Sequence, residues 1–396
     1  MRALRHLVMP VRALPHHGIG GMQAVAWDLA TRFVQQGIAV TVLTAAIAGR
    51  PERFEDAGVQ VRALRGTAWH RYGRRWWQAT REAFEQELLG RCDLVLSVSA
   101  GGFGLLPVRQ RHPDLPFVLQ AHGTSVGEII SKWRSGRVKA MASSLRNVAW
   151  IGKDLAAYRQ FDAIVAVGER VAADLSAWPM RACIDRRRLE TIPNGVDTAL
   201  FRPDADARSR VRDALGWGED LRVVVSASRL HQQKGLDLGL DAFARLAGRR
   251  ADLRYLIVGE GPEAQALKRR ADDLGVADRV HFAGGVLREE VAGYLNAADV
   301  MLFTTTRAEG NPLNVLEALS VGLPVVAAQH LYRHGPPDEG IELVDPGDPA
   351  AVAAALQRVL AIGPSRRSRL PAGLSMAESV QAYLELFAAL IAGRAP

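Results

Sequence analysis

Short apolar segments alternate with amphipathic helical patterns along almost the whole chain of 396 residues. The predicted strands cover residues 4–9, 40–44, 59–63, 94–98, 117–120, 163–167, 221–226, 255–259, 280–283, 300–303, 324–327 and 341–344. The predicted helices cover residues 22–36, 78–89, 236–248, 262–274, 288–297, 312–321, 349–362 and 375–392, with a long polar and aromatic helical region at 126–158. This alternation is typical of β-α units, so we predict an α/β protein with parallel, doubly wound sheets.

A connection between two domains lies near residue 198. Pro193, the Asn194-Gly195 pair and Pro203 mark a linker, after which the β-α pattern restarts. We therefore predict two Rossmann-like domains, residues 1–198 and 199–374, followed by an amphipathic helix within 375–396. Such sheets bind ligands at the carboxyl ends of their strands, so two facing domains would enclose a cleft.

Charge is distributed unevenly between the two halves. Residues 1–200 carry 27 Lys and Arg against 17 Asp and Glu, whereas the remaining 23 and 25 leave residues 201–396 slightly acidic. A hydrophobic share of 48% excludes wholesale disorder, and two cysteines exclude a disulfide framework. Because no apolar stretch approaches the roughly 18–20 residues of a spanning helix, we expect a cytoplasmic protein, at most peripheral on the inner face of the membrane.

Two loops of the first half follow predicted strands. Gly20 and Gly21 open the helix 22–36, where glycine lets backbone amides approach a phosphate, although a plain tight turn explains glycine equally well. His122 follows the strand 117–120, where a neutral imidazole can hydrogen-bond a ligand hydroxyl. A purely structural histidine is the alternative.

In the second half, one β-α loop contains two cations five residues apart, Arg229 and Lys234. They could close on a diphosphate, arginine as a planar fork and lysine as a point charge, or they could be solvated loop cations. Gly259 and Gly261 follow the next strand and permit close approach of a ligand. The backbone around Val286 could hold a planar base.

The segment from Glu309 to Glu317 is the strongest local signal. Gly310 is followed by Asn311, a good N-cap, and by Pro312, a good first helical residue, so we predict a helix start there. The first free amides of that helix, which would face an anion, belong to Leu313 and Asn314.

Glu317 lies about 7–8 Å further along the same helix axis. On an otherwise apolar helix its carboxylate needs hydroxyl or cationic partners, and the two vicinal hydroxyls of a ribose would serve. A half-exposed helix glutamate is the alternative.

In this order, the motifs resemble those of the retaining nucleotide-sugar glycosyltransferases of family four, which have the GT-B fold. The resemblance covers about residues 18–328. The motifs that carry it are Gly20-Gly21, the His-Gly-Thr triplet at 122–124, residues 193–197, Arg229 with Lys234, residues 258–262, Glu309 with Glu317, and residues 322–326.

The resemblance implies a role for each site residue. Glu309, His122, Arg229 and Lys234 would be catalytic. Lys234 and Arg229 would stabilise the departing diphosphate, and Glu317 would hold the ribose. The donor-binding set would comprise Gly20, Gly21, Arg229, Lys234, Gly259, Gly261, Val286, Glu309, Gly310, Asn311, Leu313, Asn314 and Glu317.

No metal or other cofactor is implied, since the only DxD, Asp204-Ala-Asp206, lies in the linker and is interpreted as a helix cap or solvated turn. The last helix would pack back on the first domain. Retention without an enzyme nucleophile would proceed by front-face attack, the departing phosphate taking the acceptor proton.

The resulting hypothesis is a hexosyltransferase that uses a nucleotide-diphosphate sugar. A UDP-sugar is favoured over GDP-mannose, and the acceptor would be a hydroxyl of a glycan, glycolipid or lipid-linked molecule in bacterial cell-surface polysaccharide or lipopolysaccharide synthesis. The alternatives are a GT-B sugar-nucleotide epimerase, glycosylation of a small natural product, a glycoside hydrolase using Glu309 and Glu317, or a nucleic-acid or membrane binding module.

The basic excess of the first half forms two clusters that contain tryptophan. The first comprises Arg65, Arg71, Arg74, Arg75, Trp76 and Trp77; the second comprises Lys132, Trp133, Arg134, Arg137 and Lys139. Basic residues with tryptophan suit anionic lipid headgroups or an anionic acceptor, so we expect peripheral membrane contact here and no nucleic-acid partner. A solvated helix face with tryptophan in the core is the alternative.

Overall fold

The computed structural model describes residues 3–18, 20–134, 145–307, 309, 312–332, 339–365 and 367–393. The chain divides into two compact units. Unit 1 comprises Met1–Ile129, Met141–Gly195 and Met376–Pro396, and unit 2 comprises Ile130–Ala140 and Val196–Ser375. The chain thus leaves the first unit three residues before the position of the predicted linker.

The strands of unit 1 are β1 His6–Pro10, β2 Ala39–Ala45, β3 Arg53–Asp56, β4 Val59–Leu64, β5 Leu94–Val98, β6 Phe117–Ala121, β7 Ala163–Ala166 and β8 Leu189–Thr191. They form one sheet in the order β3-β4-β2-β1-β5-β6-β7-β8. Only β3, at the edge, pairs in the antiparallel sense among these strands. Strands β5, β6 and β7 are buried over their whole length, which is expected of a parallel sheet covered on both faces.

The strands of unit 2 are β9 Arg222–Ala227, β10 Leu253–Val258, β11 Val280–Gly284, β12 Val300–Phe303, β13 Val325–Ala328 and β14 Ile341–Val344. All the described pairings are parallel, in the order β11-β10-β9-β12-β13-β14. This is the Rossmann strand order, which reverses between β9 and β12. The loops that leave these two neighbouring strands therefore diverge, and the crevice between them is where such a sheet binds its ligand.

The α-helices are α1 Gly21–Gln35, α2 Arg74–Glu87, α3 Leu106–Arg111, α4 Ser125–Arg134, α5 Leu145–Tyr158, α6 Glu169–Ser176, α7 Ala205–Leu215, α8 Leu236–Ala247, α9 Ala264–Asp273, α10 Arg288–Ala297, α11 Leu313–Ser320, α12 Pro349–Ile362 and α13 Met376–Ile391. The last of them packs within unit 1, where Tyr383 and Phe387 contact Phe33 of α1. Asp204 caps α7 by accepting from the Ala207 amide at 2.8 Å, so the predicted capping role of this aspartate is confirmed.

The predicted fold class, two Rossmann-like α/β domains with parallel sheets, is confirmed by this topology. Every predicted strand is present with ends within two residues of the prediction. Strands β3 and β8 were missed because one is a short polar edge strand and the other has three residues. Helix α2 begins four residues earlier than predicted, since Gly73 and not an N-capping side chain precedes it.

Candidate functional site

Two loops of unit 2 are tied together at the carboxyl ends of β9 and β12. A run of three threonines follows β12, and all three bond to the loop that precedes α8. The Thr304 hydroxyl donates to the Gly235 carbonyl at 2.7 Å, and the Thr305 hydroxyl and Thr306 amide donate to the Gln233 carbonyl at 3.0 and 2.9 Å. Sequence reasoning missed these threonines, although a polar run directly after a buried strand was a usable signal.

This bracing brings together Lys234 and Glu309, which are 75 residues apart in sequence. Lys234 Nζ lies 2.8 Å from Glu309 Oε1, and both side chains are only 17% exposed. The ammonium also lies 5.4 Å from the centroid of the Phe303 ring, a cation–π distance. The structure therefore places two of the predicted catalytic residues side by side, at the switch point of the sheet.

Glu309 is held as a carboxylate. Burial raises its pKa, but Lys234 and Arg307 together lower it more, so the pKa of Glu309 lies below its ordinary value. The site consequently contains a fixed positive charge and a fixed negative charge at neutral pH. Arg307, which contributes to this balance, was not predicted as a site residue.

Arg229 lies in the same loop as Lys234 but is exposed. Within the described ranges, no carboxylate forms an ion pair with it. Its backbone packs against the loop after β10, where a Cβ on Gly259 would lie 2.0 Å from the Ser228 carbonyl oxygen and one on Gly261 would lie 2.3 Å from that of Leu230. Both glycines also have positive φ, +134° and +156°, so this close packing requires glycine at both positions.

Helix α11 begins at Leu313, one residue later than predicted. Pro312 is extended, with φ −73° and ψ 103°, and occupies the cap position that we assigned to Asn311. Gly310 and Asn311 lie outside the described residues. The Asn314 side-chain amide donates to the Ala227 carbonyl at 2.9 Å and ties the helix start to the end of β9. The amides of Leu313 and Asn314 have no i−4 partner within the helix and are available to an anion.

Glu317 is buried, at 7% exposed, and not the half-exposed glutamate of our alternative interpretation. Arg288, the first residue of α10, donates from Nη2 to Glu317 Oε1 at 3.0 Å. The same guanidinium lies 5.4 Å from the centroid of the Phe201 ring. Sequence reasoning missed Arg288, although it directly follows the loop around Val286 that was expected to hold a base.

In unit 1, the loop before α1 leaves open space at a glycine. Gly20 is extended and occupies the cap position of α1, and Gly21 is the first helical residue. A Cβ added at Gly21 would meet no described atom within 4 Å. Packing of the described residues therefore does not require glycine there, which is the arrangement expected where a ligand approaches the backbone.

His122 lies immediately after β6 and is partly buried. Its Nε2 lies 3.0 Å from Gln120 Oε1. Burial lowers the pKa of His122 to about 4, so the imidazole is neutral at physiological pH. A neutral ring can both donate and accept one hydrogen bond, which suits contact with a hydroxyl.

The first basic cluster is only partly as predicted. Trp76 is 2% exposed and donates from its indole to the Gly101 carbonyl at 3.0 Å, so it is a core residue and not a surface anchor. Trp77 is half-buried and bonds to the Ala100 carbonyl. Arg65 pairs with Glu52. Arg65 is nevertheless exposed, as are Arg71, Arg74 and Arg75.

The second basic cluster lies mostly outside what can be described. Arg137 and Lys139 are outside the described residues, whereas Trp133 is 59% exposed. None of the described helices is long and apolar enough to cross a membrane.

Comparison with known families assigns both halves of the chain. Residues 19–200 match the family described as "Glycosyltransferase Family 4", and residues 221–361 match "Glycosyl transferases group 1". The D-inositol 3-phosphate glycosyltransferase of Geodermatophilus obscurus is 30% identical over 382 residues, 89% of this chain and 80% of that protein. The two Rossmann-like sheets agree with this assignment. The chain belongs to glycosyltransferase family 4.

The chain is also similar to a second curated protein and to a solved structure. The GDP-mannose-dependent alpha-(1-6)-phosphatidylinositol monomannoside mannosyltransferase of Mycolicibacterium smegmatis is 40% identical over 185 residues. That match spans 44% of this chain and 47% of the relative, about half the length of each. The structure of sucrose-phosphate synthase from Thermosynechococcus elongatus superposes with a TM-score of 0.79 at 21% identity, over 98% of this chain and 100% of that one. At this identity the likeness shows the fold alone.

Proposed function

We propose that this protein transfers a hexosyl residue from a nucleotide-diphosphate sugar to a hydroxyl of a lipid-linked or glycan acceptor, with retention of the anomeric configuration. The observation that carries the proposal is the Lys234–Glu309 pair, braced at the switch point of the unit 2 sheet beside the start of α11. A cation for the leaving diphosphate and a carboxylate for the sugar hydroxyls are the two charges that such a donor requires.

The diphosphate would be held by Lys234, by Arg229 and by the amides of Leu313 and Asn314. Arg229 is exposed and close in sequence to Lys234, so its fork is available to a phosphate. Two side-chain cations and a helix N-terminus supply the stabilisation that a departing phosphate needs, and we therefore propose a transfer that requires no metal. In unit 1, the backbone at Gly20 and Gly21 would be open to approach by a phosphate.

The nucleoside would be held through Glu317. Arg288 on one carboxylate oxygen orients the group, which would accept hydrogen bonds from the ribose 2′- and 3′-hydroxyls. Val286, in the loop between β11 and α10, would contact the base. Gly259 and Gly261 allow the loops after β9 and β10 to pack closely beneath it.

In unit 2 the transferred sugar would be held by Glu309, and in unit 1 His122 would meet a ligand hydroxyl. Glu309 accepts hydrogen bonds as a carboxylate, and His122 offers a neutral ring. In the step itself, the bond from the anomeric carbon to the β-phosphate oxygen breaks and a bond to the acceptor oxygen forms. The acceptor proton passes to the departing phosphate, so the products are the glycoside and a nucleoside diphosphate.

For the donor we propose GDP-mannose first and a UDP-hexose second. We place GDP-mannose first because a relative that is 40% identical is named as GDP-mannose-dependent. The sequence alone had favoured a UDP-sugar. That relative is named as a phosphatidylinositol monomannoside mannosyltransferase, which supports a lipid acceptor for this chain. A role in cell-surface glycolipid or polysaccharide synthesis follows as part of the same proposal.

A lipid acceptor is also consistent with the charge at the start of α2. Arg74 and Arg75 occupy its first turn, which contains no acidic residue. Cations there oppose the helix macrodipole at a cost of about 0.3–1 kcal/mol each, so folding stability does not account for them. We propose that Arg71, Arg74 and Arg75 contact anionic headgroups and keep the protein peripheral to the membrane.

The test is an acceptor-dependent transfer assay on the purified full chain. GDP-mannose, UDP-glucose and UDP-galactose are each supplied with phosphatidylinositol or a glycolipid extract, with and without EDTA. We expect labelled lipid and free nucleoside diphosphate in equal amounts, undiminished by EDTA, and an α-linked product by NMR. Conversion of the nucleotide sugar without an acceptor would instead indicate an epimerase, and a product formed on small alcohols alone would indicate glycosylation of a small natural product.

A further inference from the structure

A chain of three side chains runs from the C-terminal helix to His122 in unit 1. Gln120 Nε2 donates to the Tyr383 hydroxyl oxygen at 2.8 Å, and Gln120 Oε1 lies 3.0 Å from His122 Nε2. Gln120 is the only polar residue of β6 and is 1% exposed, and Tyr383 on α13 is also 1% exposed. A carboxamide left without partners at such a buried position would be destabilising, so both ends of this side chain need partners.

The chain fixes which imidazole nitrogen of His122 carries the proton. A carboxamide nitrogen only donates and a carboxamide oxygen only accepts. In the structure the nitrogen of Gln120 faces Tyr383 and its oxygen faces His122, and in this arrangement His122 Nε2 is the nitrogen that donates. The ring is neutral, so Nδ1 has a lone pair and acts as an acceptor.

Packing around Tyr383 holds the far end of the chain in place. Its ring contacts Phe33 edge-on, with centroids 6.1 Å apart, and Phe387 at 5.7 Å. Phe33 belongs to α1, and Phe387 lies one turn after Tyr383 on α13. The Tyr383 ring therefore packs against one residue of α1 and one of its own helix. The end of Gln120 that faces away from His122 is thus paired with a tyrosine 263 residues away in sequence.

We propose that Gln120 and Tyr383 are positioning residues that hold His122 as the Nε2–H tautomer, with Nδ1 as the acceptor for a hydroxyl of the transferred sugar. Only the identity of that ligand rests on the proposed function; the tautomer does not. The opposite tautomer would present a donor to the same hydroxyl. The C-terminal helix thereby contributes to the polarity of the site without any residue of its own touching the substrate.

The direct test is the nitrogen NMR spectrum of the full chain labelled with ¹⁵N-histidine, with the His122 signals assigned by their loss in His122→Asn. At pH 7 we expect a single neutral Nε2–H pattern for His122. In Tyr383→Phe and in Gln120→Leu we expect a mixture of tautomers, because one or both restraints are gone. The matched control is Tyr255→Phe, which removes a buried phenol hydroxyl bonded to Ser226 at 2.9 Å in unit 2 and should leave the His122 signals unchanged.

Kinetics provide the second readout once a donor is known. Loss of a single orienting hydrogen bond corresponds to about a 3- to 10-fold effect, which we expect in kcat for Tyr383→Phe, with KM within about twofold. An Nδ1–H pattern in the wild-type protein would overturn the proposal, as would an unchanged Nε2–H pattern in both Tyr383→Phe and Gln120→Leu. The spectra require no nucleotide sugar, so absence of transfer with every donor would refute the proposed function while leaving the tautomer result intact.

Discussion

Lys234 and Glu309 form an ion pair of 2.8 Å within unit 2, although neither is close to the other in sequence. Each is the other's counterion, and the threonines after β12 keep their loops in register. Burial of both groups, each 17% exposed, carries a desolvation cost, which the attraction between the two opposite charges offsets. The ion pair holds Lys234 in place before any donor binds. A diphosphate that approaches Lys234 would then share the positive charge of this lysine with Glu309.

The first prediction concerns the ammonium of Lys234. In Lys234→Met an apolar chain still covers Phe303, but the charge is lost, and we expect nucleoside diphosphate affinity to fall about 10- to 100-fold. This corresponds to the roughly 1.5–3 kcal/mol of a hydrogen bond to a charged group. Calorimetric titration with GDP and with UDP measures the change, and sugar transfer should fall below detection in the same variant.

Lys268→Met is the matched control for that prediction. Lys268 also lies above a phenylalanine in unit 2, with Nζ 5.7 Å from the Phe282 centroid, but it belongs to α9 and is no part of the proposed site. The affinity of Lys268→Met for GDP and UDP should equal that of the wild type. If Lys234→Met also binds both nucleotides normally, the assignment of the diphosphate site is wrong.

The second prediction concerns ribose recognition by Glu317. We expect the wild-type protein to bind a ribonucleoside diphosphate about 3- to 10-fold more tightly than its 2′-deoxy analogue, the value of one hydroxyl hydrogen bond. Glu317→Gln should bind the two nearly equally, because a neutral carboxamide accepts more weakly. Glu342→Gln, which disrupts a Glu–Arg pair with Arg358 elsewhere in unit 2, should preserve the preference. Undiminished discrimination in Glu317→Gln would show that another group reads the ribose.

The third prediction follows from the lowered pKa of His122. The folded-state pKa is about 4 and the ordinary value is 6.5, so below pH 6.5 the unfolded chain takes up a proton that the folded chain refuses. The wild type should therefore lose stability relative to His122→Asn as the pH falls from 6.5 to 4, and the difference should be constant above 6.5. Urea unfolding of both proteins across this pH range measures the difference between their free energies of unfolding. A difference that does not change with pH would contradict the assigned burial of His122.

The fourth prediction concerns the arginines near the start of α2. Replacing Arg71, Arg74 and Arg75 together by Ser should reduce sedimentation with vesicles of anionic phospholipid at low salt by at least about tenfold, since each cation contributes about 1 kcal/mol near such a surface. The control replaces three exposed arginines of unit 2, Arg245, Arg249 and Arg269, and so removes the same net charge. Equal losses in the two variants would mean that net charge alone governs binding.

The topology could be predicted from sequence because parallel strands buried on both faces appear as continuous apolar runs. Strands 94–98, 300–303 and 341–344 agree with the structure to the residue. Helix ends were less predictable where no capping side chain is present, as at Gly73 and Pro312. There the boundary depends on backbone geometry set by neighbouring loops.

The site was predictable where a motif carries its own chemistry, and not where tertiary contacts create the function. Lys234 and Glu309 were named from the sequence, but their direct pairing depends on Thr304 and Thr305, which bond to another loop. Arg288 was missed because its partner Glu317 lies 29 residues away on a different helix. The tryptophan of the basic cluster was misjudged because burial of Trp76 depends on the Gly101 carbonyl, which no local pattern specifies.

The most direct test of the central claim, that the unit 2 site activates a nucleotide-diphosphate sugar, is release of nucleoside diphosphate from GDP-mannose and UDP-hexoses in the presence of a hydroxyl acceptor. We predict acceptor-stimulated release with at least one donor for the wild type and for Lys268→Met, and none above background for Lys234→Met. Release from no donor, or equal release by Lys234→Met and the wild type, would contradict the account.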